Sequence, residues 1–577
     1  MDKKWMVPPG LSAEETETIE KLSAAVKVPK LVAELLYIRG LTSEAEVAEF
    51  FKPDLANMID PFLFKGMDLA VDRILQAIDA RELITIYGDY DVDGTTSTAL
   101  LYLGLKRIGA RIDYYIPHRM IDGYGLSLGS LDQLKDNGSS LIISVDCGVN
   151  ALDEIKAISD LGMEIIITDH HNPKKELPPA LAIINPKLGD CGYPFEHLAG
   201  VGVAYKLLMA VYQRLGIDTT ENTLKYMDLV AVGTIADIVP LIGENRIFAS
   251  IGLQHLIEKK NLGLNALIQL CGLNQKTLDT TDIVFGIAPR INAAGRMGSA
   301  ATAVELLIST DENSSIELAE MIERDNSLRQ REDQKTFHEA CEIIEKKYKN
   351  MAQTTCMVVS SDDWHPGVIG IVASKLVEKY YRPVIMISFK DGFGSGSGRS
   401  VADFDLFAAL QHVEGNLHSF GGHKYAVGLT IYQEYVDRFE NELTRYTSEH
   451  LKLDQIQPPL KVEHNIELYD INEYLLDAIE RFAPFGPENL RPTFYTRQVV
   501  VASYPYNVGR NHLKLKVVKD GISLDLIGYN QGDYLTLLKK NSVIDIAYTL
   551  EYNRFGDKAT IQGKLKDLKL KKEMNYA

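Results

Sequence analysis

ITIYGDYDVDGT, residues 84–95, is the stretch whose reading decides the fold. A short apolar run breaks off into three acids at alternate positions, Asp89, Asp91 and Asp93, followed by Gly94. The run has the length and β-rich composition of a strand, and Gly94 marks a turn just beyond it. Alternation with Tyr90 and Val92 sets several carboxylates on one side of that turn. Like charges this close repel unless something positive sits between them. Mg²⁺ and Mn²⁺, which take carboxylate and water oxygens, are the natural partners. A solvated acidic loop and a calcium loop share the pattern, so the rest of the chain must decide.

Working outward, residues from about Leu69 to Asp237 alternate strand and helix patterns. ITIYG, IDYYIP, LIISVD, EIIITD and LAIINP are β-rich; TSTALLYLGLKRIG, ALDEIKAISDLG and AGVGVAYKLLMAVYQRLG have helical periodicity. This predicts an α/β domain built on a doubly wound parallel sheet with βαβ crossovers. Ligands of such sheets bind outside the carboxyl ends of the strands. Acids fall there repeatedly: Asp89 to Asp93, Asp146 and Asp169. A single strand-end Asp is usually a helix N-cap, but three ends supplying acids to one edge are harder to dismiss. His170 and His171 follow Asp169 directly. In an extended segment their rings would point opposite ways, so one is expected as a ligand and the other as its supporting or catalytic neighbour. Asp237 lies in the apolar run LVAVGTIADIVPL, where an unpaired carboxylate would be costly.

At 577 residues the chain exceeds one core, and three or more domains are expected. Hydrophobic content of 46% and charged content of 24% are those of an ordinary globular protein. No secretory signal and no membrane-spanning run are read in the sequence. The five scattered cysteines, without a CxxC pair, argue against a zinc ribbon or disulfide framework and fit a cytoplasmic location. A net charge of −18 disfavours indiscriminate binding to nucleic acid but leaves room for a local basic groove.

Taken together, GDYDVDG (88–94), SVDCG (144–148), TDHHNP (168–173) and VGTIADIVPL (232–241) resemble the four motifs of the DHH phosphoesterase superfamily. The resemblance implies a phosphodiester hydrolase with two ions, Mg²⁺ or Mn²⁺. Asp91 and Asp146 would hold one ion. Asp93, His170, Asp237 and a bridging Asp146 would hold the other, with Asp89 either an additional ligand or a group supporting one. Asp146, Asp237 and His171 form the implied catalytic set, His171 beside the scissile phosphate. Some members carry a His four residues before the DxD; this chain has Tyr87 there.

Residues 1–60 read as a helical lead-in, 61–240 as the DHH catalytic domain, and 241–350 as a helical segment ending in a long connector. The segment APRINAAGRMGS (288–299) reads as a loop offering Arg290 and Arg296 to phosphates or to surface acids. Residues 314–350 form a helix polar in its middle, read as solvent-bridging between domains. Residues 351–450 are α/β, and glycines beside Ser397 and Arg399, then His423 and Lys424, allow close approach to a phosphate. This part resembles the DHH-associated substrate-binding domain. Residues 456–577 contain five or six antiparallel strands, an OB-like barrel. Arg510, His512, Lys514, Lys516 and Lys519, with Tyr504, Tyr506 and Tyr529, suit single-strand binding, although lysines also protect edge strands.

WHPGVIGIVAS and PFGPENLRPTF place the resemblance in the branch of single-strand-specific DNA exonucleases. That branch implies 5′-to-3′ release of 5′-mononucleotides from single-stranded DNA in recombination and repair, alongside single-strand-binding protein and a RecQ-type helicase. Ser397, Arg399 and Arg119 would hold the 5′-terminal phosphate. The rivals are an oligoribonucleotide or cyclic-dinucleotide phosphodiesterase and an inactive replication scaffold.

Overall fold

The computed structural model describes residues 3–570 except 120, 121, 124, 259, 274–276, 402, 403, 453–455 and 555–558. The chain forms two compact units: Ile59–Val239 with Gly243–Gln457, and Met1–Met58 with Pro240–Ile242 and Pro458–Ala577.

The larger unit begins with a five-stranded parallel sheet. In spatial order its strands are Arg111–Tyr115, Leu83–Tyr87, Ser139–Val145, Glu164–Thr168 and Ala182–Ile184. Leu83–Tyr87 is buried along its whole length, as a strand covered on both faces must be. In chain order this sheet runs second, first, third, fourth, fifth. The first strand therefore lies between the second and third, and the connections leave it in opposite directions. That switch point opens a crevice at the strands' carboxyl ends, where Asp89–Asp93 and Asp146 lie. Helix Val92–Arg107 starts there, with Asp91 as its N-cap accepting from the Gly94 amide.

Beyond the sheet this unit departs from the sequence reading in two places. The segment read as a loop is helix Ala288–Met297, with Pro289 in its first turn and alanines favouring it. The connector is helix Glu312–Lys347, 36 residues, about 54 Å long. It is not bathed in solvent through its middle: Asn326 and Asp333 are buried there. Arg329 donates to Asn326 at 2.6 Å, and Lys375 donates to Asp333 at 2.5 Å. The following α/β part carries five strands in the order Ser419–His423, Ala426–Tyr432, Phe393–Arg399, Val384–Lys390, Met357–Ser361. Only the last pair is parallel. Helix Pro366–Tyr380 packs on this sheet.

In the smaller unit, strands Phe494–Val501, Val543–Asn553, Thr560–Leu570, Ile522–Gly528 and His512–Lys519 pair in succession, and Val500–Val501 pair back to Val517–Val518 to close a barrel. One pairing, Ile522–Gly528 with Thr560–Leu570, is parallel rather than antiparallel. The N-terminal residues do not stand apart as a lead-in. Helices Ala13–Val26, Lys30–Ile38 and Glu44–Phe51 bury Ile19, Leu22, Leu35, Leu36 and Val47 in the same core as Phe482, Phe494, Leu513 and Tyr548. Helices this short have one apolar stripe each and need a partner to cover it. Lys4–Met6 adds a strand, parallel to Pro459–Lys461.

Candidate metal centre and anion site

Among the described residues three overlapping groups of donor atoms form at the switch point: Asp89, Asp91 and Asp146; Asp93, His170 and Asp237; and, sharing members with both, Asp146, His170 and His171. Asp146 has φ +59°, a left-handed turn that Asp tolerates better than most residues. His170 Nε2 lies 3.1 Å from Asp146 Oδ1, 3.7 Å from Asp93 Oδ2 and 3.6 Å from Asp237 Oδ2. Asp93 is held by the first amides of helix Gly200–Arg214: Gly200 and Val201 donate to its two oxygens at 2.6 and 2.8 Å. Asp146 is 2% exposed, whereas the Asp237 side chain is 26% exposed and opens the site to solvent.

Burial and crowding push these carboxyls up. Asp93 rises to about 7 through burial and then Asp91, against the helix amides. Asp237 rises to about 9 through burial and then Asp93 and Asp91. Asp89 and Asp146 rise well above the carboxylate range for the same reasons. His170 falls to about 3 because burial and the neighbouring His171 disfavour its charge, leaving a neutral imidazole fit to be a ligand. Asp89 Oδ1 and Asp146 Oδ1 are buried and accept no hydrogen bond among the described residues. Crowded carboxylate oxygens, two of them without a hydrogen-bond partner, and one neutral imidazole suit hard divalent cations.

His171 belongs to a different arrangement. Its Nδ1 is 2.8 Å from Asp169 Oδ1, and the same oxygen accepts from the amides of His170 and His171, while Oδ2 accepts from Val149. Burial opposes the charge on His171, but Asp169 overrides it and holds the ring up to about 9. The segment bends, so the rings of His170 and His171 are only 4.7 Å apart, not on opposite sides as an extended segment would place them. Asp169 had no assigned role in the sequence reading; its signal was the spacing of an acid two residues before the imidazole, an Asx-type turn. Tyr87 is no ligand: it is fully buried and donates to Gly125 O.

Three arginines gather on the same unit. Arg119 lies 5.0 Å over the Tyr90 ring. Arg296 donates to the Gly367 carbonyl at 3.1 Å, in the first turn of helix Pro366–Tyr380. Arg399 donates to Ser397 Oγ at 3.0 Å and to Gly398 O at 2.7 Å. A Cβ on Gly370 would lie 3.0 Å from Ser397 Oγ and 3.1 Å from Arg399 Nη2, so this pair also borders that helix's opening turns. Among the described residues none of these partners is a carboxylate. Burial and then the charge of Arg119 depress both Arg296, to about 10, and Arg399. Uncompensated cations beside a helix N-terminus suit an anion.

Arg290 does not join them; it pairs with Glu323 of the connector helix at 2.6 Å. His423 is exposed on strand Ser419–His423, paired across to Ala426, which pairs in turn to Arg399. On the barrel, His512, Lys514 and Lys516 share the outward face of their strand, Leu513, Leu515 and Val517 facing the core. Lys514 pairs across to Tyr506, and Tyr529 sits against His512 and Lys564. Lys516 lies 3.6 Å from Asp525, and Lys519 is taken up by Glu467.

The fold and site define a DHH-type phosphoesterase with an added barrel, and family models agree: "DHH family, N-terminal domain" matches residues 83–234, "DHHA1 domain" 353–449 and "RecJ OB domain" 462–567. The single-stranded-DNA-specific exonuclease RecJ of Bacillus subtilis is 37% identical over 96% of this chain and 70% of its own length. That of Haemophilus influenzae is 33% identical, over 88% and 91%. Thermus thermophilus RecJ crystallised with Mn²⁺ superposes with a TM-score of 0.84 at 27% identity, covering 99% of this chain and 80% of that one. Its Mg²⁺ complex gives 0.77 at 26% identity, covering 99% and 79%. The chain belongs to the RecJ family.

Proposed function

We propose that this protein is a single-stranded-DNA-specific exonuclease that works 5′-to-3′, releases 5′-mononucleotides by two-metal-ion hydrolysis, and serves DNA recombination and repair. The observation that carries the reading is Asp146: it stands in one donor cluster with Asp89 and Asp91, and its Oδ1 lies against His170 of the other. Two divalent cations held there, Mg²⁺ or Mn²⁺, would activate water and offset charge building on the phosphate. Asp91 and Asp146, with Asp89, would hold one; Asp93, His170 and Asp237, with Asp146 shared, would hold the other. His171, kept protonated at neutral pH by Asp169, offers its proton to the scissile phosphate. Ser397, Arg399 and Arg119 grip the 5′-terminal phosphate, which sets polarity, and Arg296 supports the strand behind it. The barrel, through Lys514 and Lys516 and the tyrosines, binds the strand by charge and stacking.

The division of labour follows: catalysis in the parallel-sheet part, end recognition shared between its Arg119 and the DHHA1 part, strand binding in the barrel. Among the described residues no helix is long and apolar enough to cross a membrane. A cytoplasmic setting is proposed on the five scattered cysteines, which are free. Single-strand-binding protein and a RecQ-type helicase are proposed partners on the sequence resemblance alone.

A low-salt nuclease assay on 5′-phosphorylated single-stranded DNA, with Mn²⁺ or with chelator, tests the reading. Metal-dependent release of mononucleotides is expected, lost in Asp146→Ala. Preference for a dinucleotide over a long strand, or full activity of Asp146→Ala, overturns it.

A further inference from the structure

Tyr90 stands between Asp89 and Asp91, in a loop whose acids face the metal centre, yet its ring is turned to a cation. Arg119 sits 5.0 Å over that ring, close enough to Asp89 to bias its ionisation. Left to itself, a guanidinium beside these carboxylates would pair with one of them. Paired so, it would quench both the metal ligand and its own capacity to bind a phosphate. We propose that Tyr90 is a positioning residue for end recognition: its face holds Arg119 without neutralising it, and keeps the N–H donors turned to the terminal phosphate. The inference rests on the reading of Arg119 as a phosphate-gripping residue.

The backbone supports the arrangement. Helix Ala288–Met297 presses on this loop: Asn292 Oδ1 accepts from the Val92 amide at 3.2 Å, and a Cβ on Gly295 would meet Tyr90 O at 2.7 Å. The next residue of the helix is Arg296. One helix thus fixes the platform under Arg119 and carries the second arginine of the same anion site, so both are set relative to the acids by a single element. An aromatic face suits the task because it attracts a cation electrostatically while leaving its hydrogen-bond donors unused.

The test is fluorescence anisotropy of 3′-labelled oligo-dT on the full-length protein in chelator, comparing 5′-phosphoryl with 5′-hydroxyl ends. Tyr90→Leu is expected to lose about tenfold of the preference for the phosphorylated end, in the range of a partly desolvated cation–π pair. Tyr90→Phe is expected to retain it, and the Tyr90→Leu/Arg119→Ala double variant to match Arg119→Ala alone. Wild-type preference in Tyr90→Leu, where Arg119→Ala loses it, overturns the role of Tyr90. An Arg119→Ala variant with full preference instead overturns the phosphate-site reading, and the proposal with it. If Tyr90→Leu does not fold, phenylalanines of increasing ring fluorination at position 90 decide. A stepwise fall in preference supports the proposal, and a flat series overturns it.

Discussion

His171 Nδ1 and Asp169 Oδ1 are 2.8 Å apart, and that carboxylate is itself clamped by three backbone amides. The pair fixes the orientation of the ring and, in the metal-free protein, favours its charge. Asp169→Asn is expected to lower kcat about 10–100-fold, as loss of an orienting partner does at metal sites, with KM for DNA little changed. His171 is held up to about 9 by this pair; without it the ring loses its proton at lower pH. The alkaline limb of the pH–rate profile should move down accordingly, and an unmoved limb would remove His171 from the proton-donating role.

The crowded acids make the metal-free protein sensitive to pH. Asp93 at about 7 and Asp237 at about 9 bind more protons folded than unfolded. Their stabilising contribution is complete below the unfolded carboxyl range, near pH 4, and is lost as pH rises through 7 and then 9. Scanning calorimetry in chelator should show Tm falling between pH 6 and 9. Added Mn²⁺ should raise Tm more at pH 8.5 than at pH 6.5, because deprotonated carboxylates are the ligands.

Arg399 and Arg290 should part company on mutation. Arg399→Ala removes a charge-assisted phosphate contact, worth about 1.5–3 kcal/mol, and KM for 5′-phosphorylated strands should rise by about 10–100-fold toward that of 5′-hydroxyl strands. Arg290→Ala breaks its pair with Glu323. It should lower Tm while leaving the end preference intact.

The barrel lysines are distinguishable by salt. Each phosphate contact on a single strand contributes about 0.7 to the slope of log K against log salt. Lys514→Ala should remove about that much. Lys516→Ala should remove less, since Asp525 already offsets its charge. Equal effects would mean that Asp525 moves aside on binding.

The parallel sheet and the position of its acids were legible because strand runs, crossover helices and strand-end residues repeat one local pattern. The gathering of the candidate metal ligands was legible for the same reason: Asp89 to Asp93, Asp146 and His170 each sit at the end of a readable strand. What escaped lay in polar contacts between distant elements. The burial of Asn326 and Asp333 is invisible to hydropathy, because a helix face made of polar groups satisfied by Arg329 and Lys375 reads as solvated. Arg290 and Arg296 look alike in APRINAAGRMGS. Once that segment is a helix, six positions separate them by most of two turns, and one meets Glu323 while the other meets Gly367. The N-terminal helices gave no sign of their partner, since the strands they pack on lie more than 400 residues away in sequence.

That distance has a consequence for how the chain is made. Ile19, Leu35 and Leu36 leave the ribosome long before Leu513 and Tyr548, which share their core. The intervening unit, Ile59–Val239 with Gly243–Gln457, can condense while synthesis continues. The first three helices cannot, and their apolar stripes wait for the last strands. Nascent chains halted before the barrel emerges should thus carry a folded nuclease body with a sticky leading end. Chaperone demand, and vulnerability to proteolysis, would then be concentrated in the first fifty-odd residues.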